Sequence, residues 1–290
     1  MSADPFVTHR GLLFTVAYEM LGSVADAEDV VQETWLRWAD VDHAGVYDPR
    51  AYLVRIVTRQ ALNRIRTLSR RREEYVGEWL PEPLLTSPDI AEDVELADSV
   101  SIAMLTVLET LGPVERAVFV LREVFDTPYD EIAEAVDRKP AAVRQIASRA
   151  RNHVAARRPR IDVGLTEQQE VVNQFLASIN SGDVQGLMDV LAPDVVMIAD
   201  GGGLAPAFRH PIEGMEQVAT MLSGLRRAAR DAVAATMWLN GAHAIRIDRA
   251  GVLDTAISLA IENGRITRIY AVRNPRKLAR LGEELRLSRT

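Results

Sequence analysis

Five polar side chains share one face of a predicted helix that follows Pro140. They are Arg144, Gln145, Ser148, Arg149 and Arg151. The opposite face carries Val143, Ile146, Ala147, Ala150 and Val154, which would pack against the rest of the protein. Arginines and amides on the free face of a helix that follows a tight turn are suited to contacts in the major groove of DNA. The alternative at this point is an ordinary basic, solvated helix.

A second set of polar side chains recurs along a predicted helix from about Ala51 to Arg70. It comprises Arg55, Arg59, Asn63 and Arg66. Their spacing keeps successive side chains within one quadrant of the helix, where they can follow a phosphate backbone. The pattern alone allows either nucleic-acid contact or a charged surface without a partner.

Acid–base chemistry has only scattered candidates, all in the C-terminal half. They are Asp200, His210, His243 and Asp248, and a His–Asp pair among them could do acid–base work. The alternative is that they are surface residues, or polar residues whose hydrogen bonds are satisfied within the fold. The glycines Gly201–Gly203 do not form a phosphate loop, because Pro206 and Pro211 interrupt the chain where a helix would have to begin. The chain has no cysteine and five separated histidines, so the sequence predicts no metal site, no cofactor and no enzyme.

The helix that carries Arg144 is the second helix of a predicted helix-turn-helix. Thr127 is expected to cap the first helix, whose first residue is Pro128, and Asp130 completes a capping box. The segment Asp137–Pro140 supplies the turn. This arrangement is typical of proteins that bind DNA.

Two helices are predicted near the N-terminus. The first ends at Gly22, and the second begins with a cap formed by Ser23 and Asp26. The buried side of the second helix is predicted to contain Ala27, Val30, Val31, Thr34, Trp35 and Trp38. The residues left facing outwards are Glu28, Asp29, Gln32 and Glu33. By pattern alone they form a solvated acidic face.

The net charge of −7 is the sum of blocks of opposite sign. Arg50–Arg72 and Arg138–Ile161 contain no acidic residue, whereas Glu73–Asp98 contains no basic one. Prolines in this acidic connector favour an extended path. It also contains four apolar residues, Trp79, Leu80, Leu84 and Leu85. Apolar residues in an extended segment indicate that it packs against a partner surface.

After Arg160 the pattern changes to two helical runs followed by strands. A buried apolar run at Val195–Ala199 precedes strands that alternate apolar and polar residues, and Asn263-Gly264 is typical of a two-residue hairpin turn. Thr166–Thr290 is therefore predicted to be an α+β domain, with helices packed on a curved antiparallel sheet. No apolar stretch approaches the length of a membrane span, so no membrane partner is expected and the reduced cytoplasm is the expected compartment.

Several of these segments resemble an extracytoplasmic-function sigma factor. DAEDVVQETWLRW at Asp26–Trp38 and AYLVRIVTRQALNRIR at Ala51–Arg66 resemble its sigma-two domain, and the helix-turn-helix resembles its sigma-four domain. WLPEPL at Trp79–Leu84, DGGG at Asp200–Gly203 and NPRKL at Asn274–Leu278 are similar to the group with a C-terminal SnoaL-like domain, a cone-shaped α+β barrel with a pocket. The resemblance implies a multidomain protein with an all-α sigma-two domain (1–72), an acidic linker (73–98), an all-α sigma-four domain (99–160) and a SnoaL-like domain (166–290).

A protein of this family directs the RNA polymerase core to specific promoters. The resemblance implies that Glu28, Asp29, Gln32 and Glu33 contact the clamp coiled coil of the polymerase β′ subunit, with the β flap as a further contact. It implies that Arg55, Arg59, Asn63 and Arg66 serve the minus-ten promoter element, and that Arg144, Gln145, Ser148, Arg149 and Arg151 serve the minus-thirty-five element. Position 59 departs from some relatives, which have asparagine there. The acidic connector would thread the polymerase cleft, which is built to hold nucleic acid.

The resemblance also gives three motifs a regulatory role. They consist of Trp79, Leu80, Pro81, Glu82, Pro83 and Leu84 in the linker, of Asp200, Gly201, Gly202 and Gly203, and of Asn274, Pro275, Arg276, Lys277 and Leu278. The fused domain would regulate the protein in cis, so no separate anti-sigma factor is expected, and its pocket is a candidate site for a small-molecule ligand. Tethering makes even a weak contact between them effective. Because three unusual motifs need a common surface, we expect Asp200–Gly203 and Asn274–Leu278 to lie towards the linker at Trp79–Leu84.

Two other functions stay open at this stage. A ligand-responsive DNA-binding repressor with a small-molecule pocket would bind its operator without polymerase, but it leaves the Asp26–Trp38 motif unexplained. An enzyme tethered to DNA would need a working acid–base pair in the C-terminal domain. The sigma factor is the preferred interpretation.

Overall fold

The structure is a computed structural model that describes residues 4–158, 164–229, 231–282, 285 and 287–289. The chain divides into two compact units. The helical unit consists of Met1–Glu73, Leu105–Arg158 and Arg286–Thr290, and the sheet unit consists of Glu74–Met104 and Pro159–Leu285. The boundary expected at residue 160 lies outside the described residues.

The first 155 residues contain helices in the predicted order. The helices up to residue 155 are α1 (Pro5–Leu21), α2 (Val24–Ala39), α3 (Pro49–Glu73), α4 (Val94–Ser99), α5 (Ile102–Leu108), α6 (Pro113–Phe119), α7 (Tyr129–Val136) and α8 (Pro140–Ala155). Gly22 ends α1 with a φ of 63°, a left-handed conformation that favours glycine. The Ser23 hydroxyl caps α2 by accepting a hydrogen bond from the Asp26 amide at 3.3 Å. Both signals near the N-terminus are therefore confirmed.

One residue on α2 lies where the sequence did not predict it. Trp38 is 1% exposed, as expected, but Trp35 is 46% exposed. Each helical residue turns the chain by about 100°, so Trp35 lies one step past the buried Thr34, at the edge of the apolar stripe. The prediction that Trp35 is buried was wrong.

The helix-turn-helix is formed by α7 and α8. The predicted cap at Thr127 was wrong, because α7 begins at Tyr129 without a side-chain cap. Thr127 is buried instead, and its amide donates to the Leu121 carbonyl at 2.9 Å, at the end of a π-helical turn. Asp137 ends α7 in the left-handed region with a φ of 55°. Helix α8 buries the predicted residues Val143, Ala147, Ala150 and Val154.

The sheet unit has the predicted order of helices followed by strands. Its elements after residue 164 are α9 (Leu165–Ser181), α10 (Val184–Val190), β1 (Leu191–Asp200), β2 (Ile212–Glu213), α11 (Met215–Ala228), β3 (Ala232–Leu239), β4 (Ala242–Arg249), β5 (Val252–Glu262), β6 (Arg265–Val272) and α12 (Pro275–Leu278). The strands form one sheet in the order β2-β1-β6-β5-β4-β3. Phe175 of α9, Leu187 of α10 and Val218 of α11 are buried in the same core as the inward side chains of the sheet.

The sheet contains both parallel and antiparallel pairs of strands, so the prediction of an antiparallel sheet was only partly right. The β5–β6 hairpin turns at Asn263 and Gly264, both at positive φ, as the sequence indicated. However, β1 pairs with β6 in parallel. The chain comes back beside β1 only with β6, the last strand of the β3–β6 meander. The two strands therefore end side by side, at Asp200 and Val272.

The acidic connector lies within the sheet unit. Residues 76–84 form no helix, and Leu85 forms a bridge with Leu239 of β3. After it come a short 3-10 turn at Pro88–Glu92 and the helices α4 and α5. No helix in the described part of the chain is long and apolar enough to span a membrane.

Candidate functional site

The predicted DNA-facing residues of α8 all lie on the surface. Arg144, Gln145, Ser148, Arg149 and Arg151 are exposed. The guanidinium of Arg151 is held by Glu123, with Nε and Nη2 at 3.1 and 2.8 Å from the two carboxylate oxygens. Arg144 lies over the Tyr129 ring, 5.7 Å from its centroid. Arg151 must therefore leave an ion pair to contact DNA with both of these guanidinium nitrogens.

The polar stripe on α3 is partly covered by α7, within the same unit. Arg55 donates to the Glu134 carboxylate at 2.9 Å, and Arg59 donates to the Glu134 backbone carbonyl at 2.7 Å. Farther along the stripe, Asn63 and Arg66 are exposed and lie 3.2 Å apart at Oδ1 and Nη1. In this arrangement the first half of the stripe contacts the helix-turn-helix and the second half faces solvent.

The acidic face of α2 is only partly free of neighbours. Asp29, Gln32 and Glu33 are exposed and Glu28 is half-buried. Glu33 accepts from Gln60 of α3 at 3.1 Å, and Arg64 of α3 pairs with Asp29. Trp35 and Leu36, both about half exposed, extend this face as an apolar patch.

The three motifs assigned to regulation meet around one buried carboxylate in the sheet unit. Asp200 ends β1 and has no exposed surface. Its Oδ1 accepts from the Tyr75 hydroxyl at 2.6 Å, and its Oδ2 accepts from the Leu80 amide at 2.9 Å and from Lys277 Nζ at 2.7 Å. Lys277 also donates to the Leu80 carbonyl. We call this group of four residues the linker clamp, because it joins the linker to both motifs of the domain.

Asn274 and the Trp79 ring extend the clamp. The Asn274 side-chain amide donates to the Tyr75 hydroxyl at 2.8 Å, and its backbone amide donates to the Asp200 carbonyl at 3.0 Å. The Lys277 ammonium lies 4.3 Å from the centroid of the Trp79 ring, within the range of a cation–π interaction. Burial, and then the bond to Asp200, raise the pKa of Tyr75 well above its usual value. Tyr75 thus keeps its proton, and its bond to Asp200, to a higher pH than an ordinary tyrosine would.

The glycines after Asp200 allow the linker to approach closely. Gly202 has a φ of 57°, and a Cβ built there would lie 2.2 Å from Asn274 Nδ2 and 2.9 Å from the Tyr75 hydroxyl. Gly203 has a φ of 70°, and its Cβ would lie 3.1 Å from Cβ of Val76. The glycines are therefore required by both backbone conformation and contact, and not by anion binding.

A second set of contacts holds the linker where sequence reasoning predicted none. The Leu84 amide donates to the Asn240 side chain at 2.9 Å, and Asn240 in turn donates to the Val100 carbonyl at 2.7 Å. The next residue, Gly241, donates from its amide to the Thr86 hydroxyl at 3.0 Å. Asn240-Gly241 is recognisable in the sequence only as a hairpin turn, and its role as an anchor depends on a segment more than 100 residues away. Tyr75 was missed for the same reason.

The candidate acid–base residues do not form a His–Asp pair. Asp200 belongs to the linker clamp, Asp248 pairs with Arg246 at 2.7 Å, and His210 is exposed. His243 stacks on Trp238 with ring centroids 4.0 Å apart, and burial lowers the pKa of its imidazole. The hypothesis of acid–base catalysis by these residues was wrong.

A cavity of about 440 Å³ lies in the sheet unit, between the sheet and helices α9 and α11. Its wall is mostly apolar and includes Met197, Ala199, Leu222, Ile247 and Ile257. The Asp200–Gly203 turn directly follows Ala199 in the chain, which agrees with the expectation that the glycines lie near a cavity. The cavity and the linker clamp thus share strand β1, which supplies Ala199 to the cavity and Asp200 to the clamp.

Comparisons with known proteins place this arrangement in a family. The sigma-70 region 2 family matches residues 6–71, and the sigma-70 region 4 family matches residues 101–154. The chain is 40% identical over 230 residues to the ECF RNA polymerase sigma factor SigJ of Mycobacterium tuberculosis, covering 78% of this chain and 73% of that protein. It is 32% identical over 281 residues to the probable ECF RNA polymerase sigma factor SigI of the same species, covering 96% and 94%. The crystal structure of M. tuberculosis SigJ superposes with a TM-score of 0.77 at 32% identity, covering 94% of this chain and 97% of that one.

The protein is a promoter-specificity subunit built of sigma-70 regions 2 and 4. It belongs to the extracytoplasmic-function sigma factors, which direct RNA polymerase to initiate transcription and are not enzymes. Its helical sigma-two and sigma-four regions are followed by a C-terminal α+β domain. RNA polymerase core and promoter DNA are therefore its partners, and the alternative of a free-standing repressor is not favoured.

Proposed function

We propose that the exposed face of α8 binds the minus-thirty-five element and that the α3 stripe binds the minus-ten element. Support for the first comes from the exposure of Arg144, Gln145, Ser148 and Arg149 on a helix whose other side is buried. Support for the second comes from Asn63 and Arg66, which extend the stripe into solvent. Arg55 and Arg59 can join them only after their bonds to Glu134 break.

We propose further that the outward face of α2 docks on the clamp coiled coil of the polymerase β′ subunit, and that the sigma-four region contacts the β flap. Glu28, Asp29, Gln32 and Glu33 supply the polar part of the α2 surface. Trp35 and Leu36 supply an apolar part that a solvated helix would not need. Interfaces combine these two components, which supports a protein partner on this face.

We propose that the C-terminal domain controls the sigma factor in cis by holding its linker. The observation that carries this proposal is the linker clamp, in which the fully buried Asp200 meets Tyr75, Leu80 and Lys277. The linker supplies two of the three donors to this buried carboxylate, the Tyr75 hydroxyl and the Leu80 amide, so its release would leave Asp200 with Lys277 alone. A buried acceptor that loses its hydrogen bonds is destabilised, and the clamp therefore favours the linker on the domain.

The held linker and the polymerase-bound linker are mutually exclusive in this proposal. An acidic connector that threads the polymerase cleft needs its backbone and side chains free, whereas here the amides of Leu80 and Leu84 are bonded to the domain. Because the domain is part of the same chain, it competes with polymerase at a high effective concentration. A fused regulator of this kind takes the role of an anti-sigma factor, so we expect no separate one.

In vitro transcription with purified core polymerase tests the regulatory proposal. Asp200→Asn and Lys277→Met each remove one charge of the clamp and keep most of the side-chain volume. We expect both variants to give more promoter-specific transcript than the wild type at limiting sigma factor. Asp194→Asn is the matched control, because Asp194 is exposed on the same strand. Folded clamp variants with unchanged or lower transcription would overturn the proposal.

A further inference from the structure

The cavity in the sheet unit has the size and lining of a ligand site. Its volume of about 440 Å³ falls within the roughly 300–1,000 Å³ typical of small-molecule pockets. The wall is formed by aliphatic and alanine side chains from the sheet and from α11, with Phe208 at the loop after β1. An apolar body would displace water from this surface and be stabilised by its burial.

The polar part of the wall carries more positive than negative charge. Arg226, Arg249 and Arg273 line the cavity together with a single carboxylate, Asp254. Arg249 also faces Asp231 at 3.6 Å, a loose and largely exposed pair. With Asp254 and Asp231 both counted, the three arginines leave at most one positive charge, which a single anionic group on a ligand would compensate.

Arg273 is the best-defined polar group of the wall. Its Nη2 lies 3.0 Å from both carboxylate oxygens of Asp254, and its Nη1 donates to the Pro206 carbonyl at 2.6 Å. Its Nε is buried and has no partner among the described residues. A buried donor without an acceptor is destabilising, so a ligand oxygen that accepts from Nε would gain a bond the protein alone lacks.

We propose that this cavity binds an apolar small molecule with one carboxylate group, and that its binding tightens the linker clamp. The apolar body would fill the space beside Ala234 and Ile247, and the carboxylate would lie at Arg249 and Arg273. The regulatory consequence rests on the proposed function of the clamp, whereas the binding itself does not.

The coupling follows from the ends of two strands. Ala199 and Arg273 line the cavity, and the next residue after each, Asp200 and Asn274, belongs to the linker contacts. The backbone amides of Arg273 and Asn274 both donate to the Asp200 carbonyl, at 2.7 and 3.0 Å. A ligand that orders these strand ends lowers the cost of ordering them for the linker, and the linker does the same for the ligand.

The lining favours binding over turnover. Its described residues include no histidine, lysine, tyrosine, serine or cysteine. The one hydroxyl, of Thr255, donates to Asp254, and this carboxylate is paired with Arg273. General acid–base and nucleophilic catalysis both need a group of this kind within reach of the substrate. The cavity therefore fits a sensor and not an active site.

Isothermal titration calorimetry on the full-length protein tests the binding. The probes are decanoic acid and 2-naphthoic acid, each compared with its methyl ester. We expect the acids to bind and the esters to bind at least about 10-fold more weakly, because they lose the charge-assisted bonds. Arg249→Gln should reduce this preference. Equal affinity of acid and ester, or no binding of either acid, would overturn the proposed ligand class.

A pair of alanine variants locates the site. Ala234→Leu fills the cavity, whereas Ala235→Leu adds the same volume at the next position of β3, which does not line the cavity. We expect the first variant to lose binding of the acids and the second to retain it. Loss in both or in neither would show that the acids bind elsewhere.

Hydrogen exchange measured by mass spectrometry tests the coupling. The amides of Leu80 and Leu84 report on the linker, and we expect decanoic acid to slow their exchange in the wild type but not in Asp200→Asn. Unchanged or faster exchange at saturating ligand would overturn the coupling. The two proposals can fail separately. If the clamp variants alter transcription but neither acid binds, the regulatory proposal stands and the ligand proposal fails. If the acids bind but the clamp variants transcribe like the wild type, the binding site stands and the regulatory proposal fails.

Discussion

At the scale of single residues, a buried carboxylate is costly unless its charge is compensated, and Asp200 finds its compensation in the linker. Lys277 neutralises it, while the Tyr75 hydroxyl and the Leu80 amide complete its hydrogen bonds. Without the linker, two of these three donors would be missing. Asp200 therefore makes docking of the linker a condition for a stable domain end, which couples local stability to regulation.

Gly202→Ala is predicted to weaken the linker clamp. The new Cβ meets Asn274 and Tyr75 and also forces an alanine to a φ of 57°, so we expect a loss of about 1–3 kcal/mol in linker docking. Gly251→Ala is the control, because Gly251 has a φ of 78° but nothing within 4 Å of its Cβ. Hydrogen exchange at Leu80 should accelerate only in the first variant; equal acceleration in both would show that backbone strain alone is responsible.

Tyr75 is predicted to ionise at a higher pH than an ordinary tyrosine, whose pKa is about 10. Burial and Asp200 raise its pKa in the folded state, so its stabilising effect is fully present below pH 10 or so and is lost as the pH rises through the folded value. The tyrosinate absorbance of the wild type minus that of Tyr75→Phe isolates this titration. In an Asp200→Asn background the midpoint should fall towards its usual value, and a difference titration centred at the ordinary value in the wild type would contradict the assignment.

At the scale of secondary structure, helical periodicity was sufficient to predict which faces point outwards. Arg144 and Arg149 are exposed and Val143 is buried, because the 3.6-residue repeat determines both. Periodicity does not reveal ion-pair partners: Arg151 meets Glu123 and Arg55 meets Glu134, from segments 28 and 79 residues away. It also failed to predict that Trp35 is exposed, because Trp35 lies at the edge of the apolar stripe, where a shift of one residue changes a side chain from buried to exposed.

Two arginines of α8 are predicted to differ in their effect on promoter binding. Arg149→Ala should cost about 1–3 kcal/mol and relax specificity at one position of the minus-thirty-five element if it contacts a base. Arg151→Ala should cost less, because breaking the pair with Glu123 offsets part of what the DNA contact gains. Anisotropy titrations of reconstituted holoenzyme on wild-type and single-substituted promoters measure both. A larger loss for Arg151 than for Arg149 would contradict this order.

At the scale of the whole molecule, the sequence indicated where the helical and sheet-rich parts lie but not how the chain is shared between the two units. The linker belongs to the sheet unit although it lies between helical segments, and residues 287–289 belong to the helical unit although they follow the sheet. Local pattern predicts elements, whereas these assignments depend on contacts across more than 100 residues, such as Leu84 with Asn240. The apolar residues of the linker indicated a docking segment by themselves, whereas Asn274–Leu278 was found only because a family resemblance marked it.

The C-terminal segment is predicted to stabilise the helical unit. Leu287 is buried, the Ser288 amide donates to the Thr15 hydroxyl of α1 at 3.1 Å, and Arg289 Nε donates to the Val124 carbonyl at 3.1 Å. Leu287→Ala removes a buried side chain and should lower the free energy of unfolding of this unit by about 2 kcal/mol, the lower end of the range for such changes.

Urea unfolding, monitored by the hydrogen exchange of the α1 amides, measures this loss of free energy. The control variant is Val252→Ala, because Val252 is exposed in the sheet unit. Exchange of the Leu80 amide reports on the linker clamp in the same samples. We expect α1 to exchange faster in Leu287→Ala while Leu80 is unchanged, because the contacts of each belong to different units. If α1 kept its protection, the C-terminal segment would be a passive end of the chain, and control by the fused domain would act through the linker alone.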